Sequence, residues 1–373
     1  MEDIHGKKEN TMLRSHSISP GRIVFSKFRK DIWGMSGLIF IGICFIVSAL
    51  GYLITPDKTP NADYESHEIA LLKPFTKIKF VRIEKKYVEL PGFFEKLING
   101  APSRYVDIPV TSYELKKDSI LVNTFTDYKK GTTYSYGLYY ENPQQIAKPK
   151  NKLFLLGTDR FGRDLLSRLM IGTRITMMVG IIAVAISLFI GIILGALAGY
   201  YRGRVDTFIS WLMNVVWSIP TLLFVLTITI SLGKGLLPVF VAVGLTMWVD
   251  VARIVRGEIF SIREKEFVVA GKALGFKSPR IIFKHILPNV MASVLVIASS
   301  NFASAILIES GLSFLGLGAQ PPTPTWGNMI ESHRNFIITE HAHLALIPGF
   351  AIMLLVLAFT MVSNGLKNAM EKR

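Results

Sequence analysis

The chain has a single cysteine among its 373 residues, Cys44, so an internal disulfide and a cysteine-based metal cluster are both excluded. No Gly-x-x-x-x-Gly-Lys-Ser/Thr string occurs, which removes a phosphate-binding loop and with it ATP binding by this chain. No nucleophile motif groups Ser, His and Asp, so an intramembrane hydrolase is not expected. Acidic residues are few, 27 Asp plus Glu against 42 Lys plus Arg. Within the apolar runs the carboxylates are read at the ends: Asp250 near the inner end of the fourth run, paired with Arg253 one turn on, and Glu309 at the outer end of the fifth. An ion-coupled secondary carrier would call for carboxylates near the bilayer midplane and two related halves, and neither is read here. Of seven histidines, His341 and His343 with His333 nearby form only a weak metal-ligand pattern.

What the chain does have is apolar residues, 50% of the total. Six runs approach the ~20 residues that cross a bilayer: 34–55, 176–199, 207–231, 236–254, 285–309 and 343–364. A backbone in lipid must satisfy its own hydrogen bonds, so these runs are helices, and the fold class is an all-α polytopic membrane protein. Segments 1–34, 200–207, 253–284 and 365–373 hold 7, 2, 8 and 3 Lys plus Arg, against only Lys234 and Arg334 in the short loops opposite. Short basic flanks stay in the cytoplasm, which puts both termini inside. The net charge of +15 then reflects retention signals and attraction to anionic membrane lipid, with no nucleic-acid partner.

The runs divide the chain into a basic cytoplasmic lead-in (1–33), a first transmembrane helix (34–55), an extracytoplasmic insert (56–156) and a transmembrane domain (157–373). In the lead-in, 22–33 reads as a basic amphipathic helix at the inner interface, or equally as a plain positive flank, and no cleaved signal peptide is expected. The insert alternates as strands do at 77–83 and 132–139, which predicts a small β-rich unit. Pro220 predicts a bend in the third helix.

Between the fourth and fifth runs, 263–289 reads as two short helices broken at Gly275, the first bearing small residues Ala270, Gly271 and Ala273, the second opening with Ser278 as cap and Pro279 behind it. With Glu266, Leu274 and Pro288 at their spacings, this stretch resembles the cytoplasmic coupling loop of ABC importer permeases, here bounded at 257–284. The family's opening Glu-Ala-Ala is Val269-Ala270-Gly271 in this chain, and His285 stands where many members carry Ile. The segment from Leu156, with Gly157, Asp159, Gly162, Arg163 and Asp164, is similar to the opening of the transport domain in dipeptide, oligopeptide and nickel permeases, the C-type subunit. Thr158 or Asp159 reads as a helix cap there, with Arg163, Arg168 and Arg174 projecting from a mixed surface. Gly316, Gly318 and the proline-rich 320–327 resemble the same family's outer end. Gly191, Gly195 and Gly199 form one helix stripe suited to close packing, between subunits or within one.

The resemblance, over roughly 155–368, implies the fold of an ABC type I importer permease with six transmembrane helices in the bacterial cytoplasmic (inner) membrane. It implies a transport subunit rather than an enzyme, passing di- or oligopeptides. The implied partners are a second homologous permease subunit, two ABC ATPase subunits holding ATP and Mg, and an extracytoplasmic substrate-binding protein. Glu266, Ala270, Gly271, Ala273, Leu274, Gly275 and Pro288 would couple to the ATPase, while 157–164 with Gly316 and Gly318 would serve the outer gate. A secondary carrier, a nickel or other small-solute importer, and a membrane-anchored scaffold that docks a cytoplasmic partner stand as alternatives.

Overall fold

The computed structural model describes residues 20–85, 87–89, 91–115, 119–127, 132–139 and 146–371, so most of the expected basic lead-in lies outside the described residues. Helix α1 (Pro20–Phe28) is shorter than the expected amphipathic segment because the chain turns at 29–31. Asp31 then caps α2 (Ile32–Ile54), accepting from Gly34 N at 3.3 Å.

The insert is β-rich, as its alternation predicts. β1 (Thr76–Glu84) lies between β2 (Tyr105–Val110) and β6 (Ile146–Phe154), and β4 (Ser119–Asp127) lies between β3 (Ser112–Leu115) and β5 (Thr132–Tyr139), every pair antiparallel. Val81 and Val110 of the first sheet bury against Ile120 and Val122 of the second, so the two sheets share a core. A short helix, α3 (Phe93–Asn99), fills the excursion between β1 and β2.

The remaining helices are α4 (Leu165–Tyr201), α5 (Gly203–Trp217), α6 (Thr221–Leu232), α7 (Leu236–Ile262), α8 (Glu266–Ala273), α9 (Ser278–Phe314, with a π-helical stretch at Ile281–Ile286), α10 (Trp326–His333) and α11 (His343–Glu371). Several boundaries differ from expectation. The second span begins at Leu165 rather than 176, and the residue ahead of it is Asp164, not Thr158 or Asp159. The cap position before α9 is Lys277, with no side-chain bond, and Ser278 is already helical. The bend expected at Pro220 is present and sharp, with α5 and α6 meeting at 87° across 218–220.

The glycine stripe shows why α5 and α6 together make one crossing. A Cβ at Gly191 would fall 2.5 Å from Val251 Cβ, at Gly195 2.6 Å from the Ala252 carbonyl, and at Gly199 2.8 Å from the Arg256 carbonyl. The contacts advance in the same direction along both helices, so α4 and α7 run parallel. The segment between them must therefore return the chain to the starting end of the bundle, and that return is the broken pair. With the five unbroken helices long and apolar enough to cross a membrane, the described residues make six passes. The stripe packs within one chain, answered from α7 by Gly244, whose added Cβ would meet Ile186 at 2.6 Å. Gly195→Ala is accordingly expected to cost about 1–3 kcal/mol by overpacking. A lowered thermal midpoint of the purified chain would report it, and an unchanged midpoint would contradict the close approach.

Candidate functional site

Three groups of residues carry the chemistry, one at each end of the bundle and one midway. At the insert end, Gly157 (φ +81°) and Gly162 (φ +75°) take left-handed backbone where a Cβ would strike the carbonyls of Leu72 and Ser66. The turn they make clamps the loop leading into the insert. Thr158 Oγ1 donates to Ile69 O (2.6 Å) and accepts from Leu72 N (2.9 Å), while Ser66 N donates to Phe161 O.

Asp159, fully buried, accepts from Phe161 N and Arg163 N and pairs with Arg163 Nε at 2.7 Å. Arg163 reaches Asp63 (2.8 Å) and Glu65 (3.5 Å), and Arg168 also reaches Asp63 (3.2 Å). Arg163 and Arg168 are thus buried in an ion network and do not project from a mixed surface. Of the three arginines read there, Arg174 turns to the carbonyls of Leu97 and Ile98 on α3. The first-loop residues Asp63 and Ser66 were not legible in the sequence, since the loop has neither periodicity nor a motif.

The outer glycines close the same end. Gly316 (φ +74°) ends α9, with Leu317 N returning to Leu312 O and Gly316 N to Ser313 O, and Gly318 lies so close to Ser313 that a Cβ would overlap its hydroxyl. Glu309, fully buried, accepts from Ser313 Oγ at 2.7 Å. Trp326 then returns the loop to α4, donating from Nε1 to Leu169 O at 3.0 Å.

At the opposite end the hairpin uses the same device. Gly275 (φ +77°) follows α8, with Phe276 N bonded to Gly271 O and Gly275 N to Lys272 O. Beyond Gly275 and its two chain neighbours, no heavy atom lies within 4 Å of the position a Gly275 Cβ would take. His285 stacks on Phe276 (5.9 Å, 13°) and Arg280 lies 4.1 Å from that ring, which joins the two arms. Val268, Ile281 and Ile286 bury against Val255, Ile259 and Ile262 of α7. Arg202 pairs with Glu264 at 2.7 Å, tying the hairpin to the end of α4. Outward stand Glu266, Ala270, Ala273, Leu274 and Gly275, with Phe267, Val269 and Phe283 beside them and Pro288 exposed further along α9. Gly271 departs from expectation: it is buried, 3.5 Å from Phe276 at its would-be Cβ, and serves the turn from inside.

Midway lies a recess of about 350 Å³ at the α5–α6 break, lined by Trp217, Thr221, Thr246, Asp250, Asn301 and Ser304 among others. Asp250 sits near the midpoint of α7, because that helix runs on to Ile262 instead of ending at 254. Nor does it pair with Arg253, which lies 4.0 Å over the Trp217 ring; the ion pair near this part of α7 is Arg256 with Asp206, at 2.7 Å.

Residues 191–373, which contain α7, the hairpin and α9, match the family described as the binding-protein-dependent transport system inner membrane component. The dipeptide transport system permease protein DppC of Alkalihalophilus pseudofirmus is 34% identical over 321 residues, 86% of this chain and 96% of the relative. The chain belongs to this permease family. The di/tripeptide transport system permease protein DppC of Pseudomonas aeruginosa is 40% identical over 221 residues, 59% of this chain and 72% of the relative. DppC of Bacillus subtilis is 40% identical over 217 residues, 58% and 68% of the two chains.

The permease is therefore a multi-pass inner-membrane component of a transport system. The 321 aligned residues leave too few outside for the whole of 56–154 to lie beyond the resemblance, so the family likeness reaches into the insert. His333, His341 and His343 come together at the insert end, the last two with rings 6.0 Å apart, yet among the described residues no group of three or more His, Cys, Asp or Glu could hold a metal ion. Burial lowers the His333 imidazole below its ordinary range, with Nδ1 2.7 Å from Met329 O.

Proposed function

We propose that the chain is the transmembrane subunit of an ATP-driven importer of di- or oligopeptides, with both termini and the 263–277 hairpin in the cytoplasm. The observation that carries this reading is the hairpin itself, taken over the whole of 263–289. One face is locked onto α4 and α7, and the other offers Phe267, Ala270 and Leu274 beside an unobstructed Gly275. An apolar ridge of that kind, held on rigid helices and flanked by Lys265, Lys272 and Lys277, suits a groove on a soluble ATPase. ATP and Mg belong to that partner.

Two ATPase subunits and a second homologous permease subunit complete the assembly, and an extracytoplasmic binding protein delivers substrate at the insert end, where 157–164 with Gly316 and Gly318 form the outer closure. The recess at the α5–α6 break, with Asp250 its charged member, lines the route between. Peptide as cargo rests on the names of the relatives.

Purification of the full chain in mild detergent, with mass spectrometry of what accompanies it, tests the assembly. An ATPase and a second permease are expected, together with ATP-dependent peptide uptake by reconstituted vesicles. A chain that purifies alone, or uptake that persists without ATP and collapses with the ion gradient, would overturn the reading.

A further inference from the structure

A cavity of about 450 Å³ lies where the insert meets the start of α4, within the roughly 300–1,000 Å³ usual for small-molecule sites. Asp164, only 3% exposed, lines it: one oxygen accepts from Ser167 Oγ at 2.7 Å and lies 3.8 Å from Lys152 Nζ, while Oδ1 is enclosed with no hydrogen-bond partner. Asp107 on β2 lines it too, and its Oδ1 is likewise enclosed and unpartnered. Burial lifts both carboxyls above their ordinary range. A buried carboxylate oxygen without a donor is costly, and a ligand that brings a cationic donor relieves that cost. From other segments the same cavity receives Lys58, Lys96 and Lys150, none of which has a carboxylate within 4 Å among the described residues, together with Arg82 and Arg104, the latter paired with Glu84. Phe80, Phe154 and Ile69 supply apolar wall.

We propose that this cavity binds the free termini of a short zwitterionic peptide, its ammonium on the unpartnered Oδ1 atoms of Asp164 and Asp107 and its carboxylate on Lys58 and Lys96. Opposite charges carried by separate segments, with apolar surface among them, match a ligand that has one charge at each end and side chains in between. A lone anion would leave Oδ1 of Asp164 and Oδ1 of Asp107 without a donor, and a lone cation would leave the lysines without an acceptor. The site joins β2 of the insert to the first residues of α4, so an occupied cavity ties the insert to the transport domain. The choice of peptide over other zwitterions rests on the importer reading above.

The test uses the full chain in nanodiscs without partner proteins, titrated calorimetrically with trialanine, N-acetyl-trialanine and trialanine amide. Trialanine is expected to bind, and each blocked form to bind about tenfold or more weakly, the loss that accompanies removal of one charge-assisted hydrogen bond. Asp107→Asn and Lys96→Gln should each weaken trialanine to a similar degree with the thermal midpoint unchanged, and Lys58→Gln serves if either variant fails to fold. No binding by the native chain, equal binding of the N-acetylated form, or affinity indifferent to all three substitutions would overturn the proposal. ATP-dependent peptide uptake by the assembled transporter is read separately, so an empty cavity alongside normal uptake rejects this site and leaves the importer reading standing.

Discussion

Gly275→Asp is expected to abolish uptake while the chain still inserts into the membrane and keeps its hairpin. The backbone there is left-handed at φ +77°, which costs a residue with a Cβ about 1–2 kcal/mol and is tolerated by Asp better than by most. No heavy atom beyond the adjoining residues lies within 4 Å of the new Cβ, so no other part of the chain has to move for it. The damage is expected to fall on docking, because the new carboxylate would stand beside exposed Leu274 on the ridge proposed to meet the ATPase. An unpaired charge enclosed in an interface costs about 2–5 kcal/mol, which is roughly a 30- to 5,000-fold loss of affinity. Uptake measured alongside membrane fractionation and co-purification checks this. Normal uptake by the variant would remove the hairpin from the coupling role, whereas Gly275→Asn, neutral and at ease in left-handed backbone, should lose much less.

The second large effect is expected at the other end of the bundle. Asp159→Ala leaves Arg163 buried with its 2.7 Å partner gone, and deleting one member of a buried pair typically costs about 3–5 kcal/mol. Asp63 and Glu65 still face Arg163, so the lower half of that range is expected. The same carboxylate also holds Phe161 N and Arg163 N, so the clamp on the loop into the insert should loosen with it. A thermal midpoint lowered by several degrees, together with faster proteolysis within 57–72, would be the readout. Arg160→Ala serves as comparison: its side chain is exposed over Phe161, and its loss should be nearly silent. Equal midpoints for the two variants would show that the buried network does not hold the insert.

The contrast between these two sites also explains what could be read from the sequence. Gly275 was legible because its demand is local: a left-handed turn between two short helices needs a residue without a Cβ, whatever lies around it. The network at Asp159 was half legible. Its motif residues stood out, but their burial depends on Asp63, a hundred positions earlier in a loop without a pattern, and hydropathy counts Arg168 as a charge without knowing its partner. That is why α4 was expected to begin beyond the arginines and in fact begins at Leu165.

Asp250 was misplaced for a related reason. Polar residues from Arg253 onward ended the expected span at 254, although Arg253 covers Trp217 and Arg256 pairs with Asp206, which lets the helix continue. Pro220 announced an interruption, but the 87° at which α5 and α6 meet was beyond the reach of any local signal. Strand alternation was legible in the insert, whereas the pairing of β1 with the distant β6 was not.

The length of two helices carries a last consequence. At 37 residues each, α4 and α9 measure about 55 Å, against roughly 30 Å of hydrocarbon in a bilayer. Each therefore overhangs the oily layer by about 25 Å, shared between its two ends. The turn at Gly275 and the clamp at Asp159 ride on those overhangs, standing off the headgroups like the tips of two through-bolts. Whatever engages either tip meets protein surrounded by water, and it can come and go without parting from lipid.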